Sequence, residues 1–435
     1  MYLRIQTSTL LTFVIATGIG ALAQPRDPGI RGGPPGAGQP IAGLTPGELS
    51  YFISQGEPQF MQIEAVSDGL GPRFNLDSCG GCHAFPAPGG SSPPVNNPQV
   101  VRALIMAPGN TVPRFLALNG PVREVRFKTN PNGTPDGGVH AIFTIAGRTD
   151  KPPGCAISQP DFSNSGNIVF RIPTPTFGGG LIEAITDTTI RSNLASDPGG
   201  KKAALSIKGH LNTNGNEGTV TRFGWKAQNK SLLIFAGEAY NVEMGVTNEV
   251  FPNEREEDPG CAKNGTPENH TGFDGGSDPS DTVGFMAFMK FLDQPVPACM
   301  GSGCPPSIQN GHRVFMETGC ATCHTETLMT GFSSSAALDH KPVRLFSDLA
   351  VHHMGSALAD GVVQGSAGPD EFRTAPLWGV GQRAFFLHDG RTSDLMQAIL
   401  AHDSQGSEAH MVVENFRSKV SSSQQQDLLN FLRSL

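Results

Sequence analysis

Apolar and polar positions along this chain fall into short periodic segments, repeatedly cut by glycine and proline. Thr45-Pro46-Gly47-Glu48 combines a capping threonine, a proline at the first helical position and a glutamate three residues on, which predicts a helix start. That helix should run toward Ala65 and break near Gly56 or Pro58. Between about residues 100 and 235 the period shortens to two. Segments 122–127, 139–145 and 167–172 read as strands bounded by Gly, Pro and Asn. Segment 283–292 is helical in pattern and is followed by a linker over 293–306. A helix over 307–318 carries Val314 and Phe315 inward. Segment 394–402 reads as a helix with Leu395, Ile399 and His402 on one face. Ser423 with Gln426 marks a last helix start, and Leu428, Phe431, Leu432 and Leu435 line one side of it. The pattern predicts a mainly α fold with β insertions, in two units over 44–292 and 307–435.

The N-terminus departs from this pattern. Arg4 is the only charge before residue 24, an apolar run follows, and Ala21-Leu22-Ala23 forms an A-x-A site. Residues 1–23 therefore read as a signal peptide, and the expected location is the bacterial periplasm. Residues 24–43 are rich in Pro and Gly and read as a flexible leader. With 54 Gly and 35 Pro in 435 residues, loops must outweigh regular structure, and a large apolar cofactor could supply core that short elements lack. The net charge of −8 argues against a nucleic-acid partner and suits a basic redox protein.

Two stretches carry the chemistry. Cys79-Gly80-Gly81-Cys82-His83 and Cys320-Ala321-Thr322-Cys323-His324 both read C-x-x-C-H, the attachment signature of c-type haem. Two thiols at this spacing can add to the two vinyl groups of a porphyrin, and the next residue offers an imidazole to the iron. A zinc ribbon would place its two halves close together in sequence, and a redox dithiol would sit between a strand and a helix. Neither pattern surrounds these motifs. Cys79, Cys82, Cys320 and Cys323 are thus expected to hold two haems, with His83 and His324 as proximal ligands, in two cytochrome c-like domains, the first enlarged by a strand-containing insertion. The remaining Cys155, Cys261, Cys299 and Cys304 allow three pairings; in an exported chain, 155 with 261 and 299 with 304 is preferred.

Several further segments resemble the bacterial di-haem cytochrome c peroxidase superfamily, nearest its di-haem oxidoreductase branch. They are Gly71-Pro72-Arg73-Phe74-Asn75, Arg171-Ile172-Pro173-Thr174-Pro175, Phe177-Gly178-Gly179-Gly180-Leu181-Ile182-Glu183, Arg222-Phe223-Gly224-Trp225-Lys226-Ala227, Glu243-Met244-Gly245, Arg373-Thr374-Ala375-Pro376-Leu377-Trp378-Gly379 and Phe386-Leu387-His388-Asp389-Gly390-Arg391. The resemblance implies that Trp225 lies between the haems and that Glu243 sits over the peroxide-binding iron. It also implies hydrogen peroxide as substrate, a small redox protein as electron donor, and compatibility with a calcium ion between the domains. His402 matches the distal-ligand position of the electron-transfer haem, ahead of Met354, with His352 and His353 as further competitors.

Two departures accompany the resemblance. The stretch from the first motif to Trp225 is long, which implies the insertion. Leu233-Ile234-Phe235 stands where the superfamily commonly has a glutamine. Two other readings stay open. In an electron carrier both irons would be fully ligated, with Met244 on the first. An oxygenase of the amine-cofactor-maturing kind would need a tyrosine at the His402 position, and none of Tyr2, Tyr51 and Tyr240 falls there.

Overall fold

The computed structural model describes residues 24–94, 97–116, 120–255, 258–271 and 279–435. The expected signal peptide lies outside the described residues. The chain is mainly helical with small antiparallel sheets. No helix among the described residues is long and apolar enough to cross a membrane.

The first helix begins as its sequence predicts. Thr45 Oγ1 accepts from the Glu48 N–H while the Glu48 carboxylate accepts from the Thr45 N–H. It runs Pro46–Tyr51, passes through a π-turn at Phe52–Gly56, and resumes as Glu57–Met61. The extra residue in the π-turn turns Phe52 and Phe60 toward Phe288, with ring centroids 5.4 and 4.4 Å away. Phe288 belongs to helix Asp281–Phe291, which is buried on nearly every side and packs beside helix Leu232–Met244. The latter ends at Gly245, whose φ of 76° is the left-handed cap that glycine adopts without a Cβ penalty.

Segment 139–145 is not one strand. Val139–His140 pairs with strand Glu124–Phe127, whereas Phe143–Thr144 pairs with Arg73–Phe74. Between them the Ile142 N–H donates to the Asn75 side chain at 3.0 Å, which takes this backbone out of either ladder. Strand Ile168–Arg171 pairs on the other side of Glu124–Phe127 and completes a three-stranded sheet.

Toward the C-terminus, helices Pro306–Thr318 and Ser422–Ser434 pack against each other. At Gly311 they come so close that a Cβ would lie 1.9 Å from the Asp427 carbonyl. The last helix starts earlier than its pattern suggested. Ser421 and Gln424 form the capping box, while Gln426 exchanges hydrogen bonds with the Arg26 backbone.

Segment 24–43, expected as a flexible leader, is bonded along its length. Asp27 pairs with Arg433 through two contacts of 2.7 Å. The Arg31 N–H donates to Gly381, and the Ile41 N–H to Phe291. Its partners are hundreds of residues away in sequence, so a local reading could not supply them. Disulfides join Cys155 to Cys261 and Cys299 to Cys304.

Candidate active site

Each C-x-x-C-H segment folds into one tight turn: α-helical at Cys79–Cys82 and 3-10 at Cys320–Thr322. In both, the histidine N–H donates to the carbonyl of the first cysteine at 3.0 Å. In both, the imidazole Nδ1 faces a carbonyl at 3.0 Å, Gly90 for His83 and Phe346 for His324. A carbonyl can only accept, so Nδ1 carries the proton and Nε2 keeps the lone pair that a metal needs. Burial pulls each imidazole down to about 4, so both are neutral at ordinary pH. All four thiols are free.

The two turns open on separate cavities. Cys79, Cys82 and His83 line the first; Cys320, Cys323 and His324 line the second. The spaces between atoms are about 1220 and 1410 Å³, mouths included. Trp225 is the one described residue lining both. Its indole Nε1 donates to the Ile172 carbonyl at 2.8 Å, which fixes the ring. On the second-cavity side His388 meets its edge at 6.4 Å and itself stacks on Phe372 at 4.2 Å.

The cavities differ in polar groups. The first contains Glu243, which is partly exposed only because it borders open cavity space. Asn75 holds it twice. The Asn75 N–H donates to the Glu243 carbonyl, and Nδ2 donates to its carboxyl oxygen, both at 2.6 Å. Burial, and then the neighbouring charge of Glu124, push the Glu243 carboxyl well above the usual carboxylate range. Burial also acts on Glu124, but the Arg126 guanidinium outweighs it and brings that carboxyl down to about 2. Glu124, Asn75 and Arg126 were not singled out for this site from the sequence. Asn75 was visible within a resembling motif; Glu124 and Arg126 offered only their two-residue spacing on a strand.

The second cavity contains His402. Its helix is shorter than its pattern, Leu395–Leu400, and His402 follows in the closing turn. Its Nδ1 donates to the Ala398 carbonyl at 2.7 Å, and burial lowers its pKa. His324 and His402 thus present the same neutral tautomer to one cavity. Met354 lines that cavity as well. His352 lines it too, and His353 does not. His352 is held through both ring nitrogens, by Asp348 at 3.0 Å and Glu408 at 2.9 Å. His353 is half exposed and paired with Asp370 and Glu371. Met244 has its sulfur 3.9 Å from the Cys79 sulfur.

The residues present fit haem. Each cavity offers two free thiols and a neutral imidazole on a largely apolar wall. Arg373 and Arg383 line the second cavity, and burial pulls both guanidiniums down to about 10. Arg373 Nη1 is buried without a hydrogen-bond partner. Buried cations with no protein carboxylate beside them suit a cofactor that carries two carboxylates of its own. Among the described residues, the one cluster of three metal-capable side chains is Cys323, Asp348 and His352. Its sulfur and nitrogen donors do not suit calcium, which takes six to eight oxygens.

The family model described as "di-haem oxidoreductase, putative peroxidase" matches residues 139–435. The chain belongs to this family. Membership makes it an oxidoreductase with haem as cofactor. Trp225, Glu243, His402 and the second C-x-x-C-H motif lie inside the matched residues; the first motif and Glu124 precede them. Among curated proteins none matches the chain. Among solved structures, hydrazine synthase of Kuenenia stuttgartiensis is similar at 13% identity and a TM-score of 0.37, over 99% of this chain and 100% of that one. A MauG-like protein associated with microbial copper homeostasis is similar at 14% identity and a TM-score of 0.31, over 66% of this chain and 95% of that one. Both TM-scores are too low to bear on fold or activity.

Proposed function

We propose that this di-haem oxidoreductase reduces hydrogen peroxide to water at its first cavity, with electrons that enter at the second from a small external redox protein. Overall, one peroxide, two electrons and two protons become two waters. The observation that carries this reading is the position of Trp225, shared by two cavities of which the first holds Glu243 and the second a further imidazole, His402, while the carboxylate lining the second, Glu408, is tied to His352.

In this reading Cys79 and Cys82 would hold one haem c by thioethers, and His83 would offer its Nε2 to the iron. Cys320 and Cys323 would hold the other, and His324 and His402 would offer theirs to its iron. Bound there, haem would supply a centre that accepts electrons and reacts with peroxide. The chain's own groups do the rest. Glu243, oriented by Asn75, moves a proton between the two peroxide oxygens, help that is worth about 10²–10⁴-fold. Trp225, pinned to Ile172, is the side chain through which electrons pass between the cavities. The apolar wall excludes water. The signal-like N-terminus and the two disulfides support a periplasmic setting, where c-type attachment and disulfide formation both occur.

The test is spectroscopic and kinetic. Purified protein should carry two thioether-bound haems, one of which becomes five-coordinate and high-spin on half-reduction and consumes peroxide. Two six-coordinate, low-spin irons in every redox state, inert to peroxide, would instead establish an electron carrier.

A further inference from the structure

We infer that Glu124, carried in by the strand insertion, is a positioning residue that shares one proton with Glu243, so that the two carboxyls act as a single acid–base unit facing the first cavity. The inference rests on the peroxide reading above and extends it to a residue outside the family match.

The geometry comes from strand register. Side chains two apart on a strand share a face, so Glu124 and Arg126 point the same way from strand Glu124–Phe127. Arg171 lies directly opposite Glu124 on the neighbouring strand. All three line the first cavity together with Glu243. Arg126 Nε donates to Glu124 at 2.6 Å, and Arg126 Nη1 donates to the Gly137 carbonyl at 2.7 Å. Glu124 is therefore anchored to a cation that is itself anchored to backbone. On the other side, Asn75 Nδ2 donates to Glu243. An Asn N–H holds a carboxyl oxygen whether or not that carboxyl is protonated, whereas the guanidinium favours an anion. The proton therefore resides on Glu243 and the charge on Glu124.

The remaining groups around the pair agree with this placement. Arg171 acts on Glu124 and Arg255 on Glu243 as further cations, and Glu238 acts on Arg126. The Glu124 and Glu243 carboxyls line one cavity and lie within hydrogen-bonding reach of each other, and two carboxyls so placed do not both ionise. The pair thus holds one proton and one negative charge, balanced by Arg126.

The chemical consequence is a proton relay that closes on itself. As the O–O bond of hydrogen peroxide breaks, Glu243 gives its proton to the departing oxygen, which leaves as water, and takes back the proton of the other oxygen, while Glu124 stays ionised beside Arg126. That other oxygen takes two electrons from the external donor and two protons from solvent and leaves as the second water. The pair ends with the single proton it began with.

Infrared difference spectroscopy of the haem-loaded protein, with labelled glutamate, reads the pair without relying on turnover. Wild type should show a protonated carboxyl at neutral pH, and Glu243→Gln should lack it. Glu124→Gln should keep it but lose the proton at a midpoint about one pH unit or more lower, because the like charge is gone. Its kcat for peroxide should fall about 10²-fold with KM little changed. Because Glu124→Gln leaves Arg126 buried without its carboxylate, the double variant Glu124→Gln with Arg126→Leu removes both charges. Its midpoint should also fall, by less. No protonated carboxyl in wild type, or a midpoint unmoved in both variants, overturns the pair. A wild type that ignores peroxide overturns the proposed function instead, and the infrared result still decides the pair.

Discussion

Replacing Asp360 by Asn should destabilise the protein by about 3–5 kcal/mol, the usual cost of breaking a buried ion pair from one side. Asp360 Oδ2 accepts from Arg171 Nη2 at 2.5 Å and from Nε at 3.1 Å, and Oδ1 lies 3.2 Å from Lys226 Nζ. The three side chains are 1%, 2% and 0% exposed. Asn keeps the shape and cancels neither charge. Arg171 cannot shed its proton, so its charge would stay buried. Lys226 can. Burial already lowers it from 10.5 to about 8, against the opposing pull of Asp360. The sign follows from proton counts. Between about pH 8 and 10.5 the unfolded chain holds a proton on Lys226 that the folded chain has released, so this group makes stability rise with pH there. Without Asp360 that rise should begin at lower pH. The assay is chemical denaturation of the haem-loaded protein across pH 6–10, with the triple variant Asp360→Asn, Arg171→Met and Lys226→Met as the compensated control. A loss under about 1 kcal/mol, or a pH profile identical to wild type, would refute the reasoning. The network matters beyond stability. Arg171 precedes the residue whose carbonyl holds the Trp225 indole, and Lys226 Nζ lies 4.1 Å from the Phe372 ring.

Three further outcomes are expected. Trp225→Phe should lose one hydrogen bond, about 1 kcal/mol, yet slow electron transfer between the haems in stopped-flow half-reduction; an unchanged rate would remove Trp225 from the path. His402→Met should raise the potential of the second haem in a spectroelectrochemical titration, since thioether ligation favours the reduced state, and should leave the first haem unchanged; no spectral change would mean that His402 is not a ligand. Replacing Cys155 and Cys261 by Ser opens a link between residues 106 apart, which the chain-entropy account values at about 4.7 kcal/mol, and guanidinium midpoints with and without the bond measure it.

Much of the candidate site could be read from the sequence because its signals are local. C-x-x-C-H places two thiols and an imidazole on one turn, and that turn forms from its own hydrogen bonds. The Thr45–Glu48 capping box and the face shared by Leu395 and Ile399 are local in the same sense. The quoted motifs acquire reasons in three dimensions. Asn75 clamps Glu243, Ile172 holds Trp225, Arg171 meets Asp360, and Arg373 faces a cavity with an unpartnered nitrogen. Nothing within such a segment names its partner.

By itself, then, the sequence determined the thiol and imidazole positions, the helical and strand-bearing character, and the residues eligible as acid and bridge. Only the tertiary structure decided what depends on distant backbone. It divided segment 139–145 between two sheets, tied segment 24–43 down at Arg433 and Gly381, and separated His402 from His352 by giving the latter two carboxylates. It also brought Glu124 to Glu243. The physical reason is one of range: turns and caps close over three or four residues, whereas the charge on a buried carboxyl is set by whichever neighbours the whole fold packs against it.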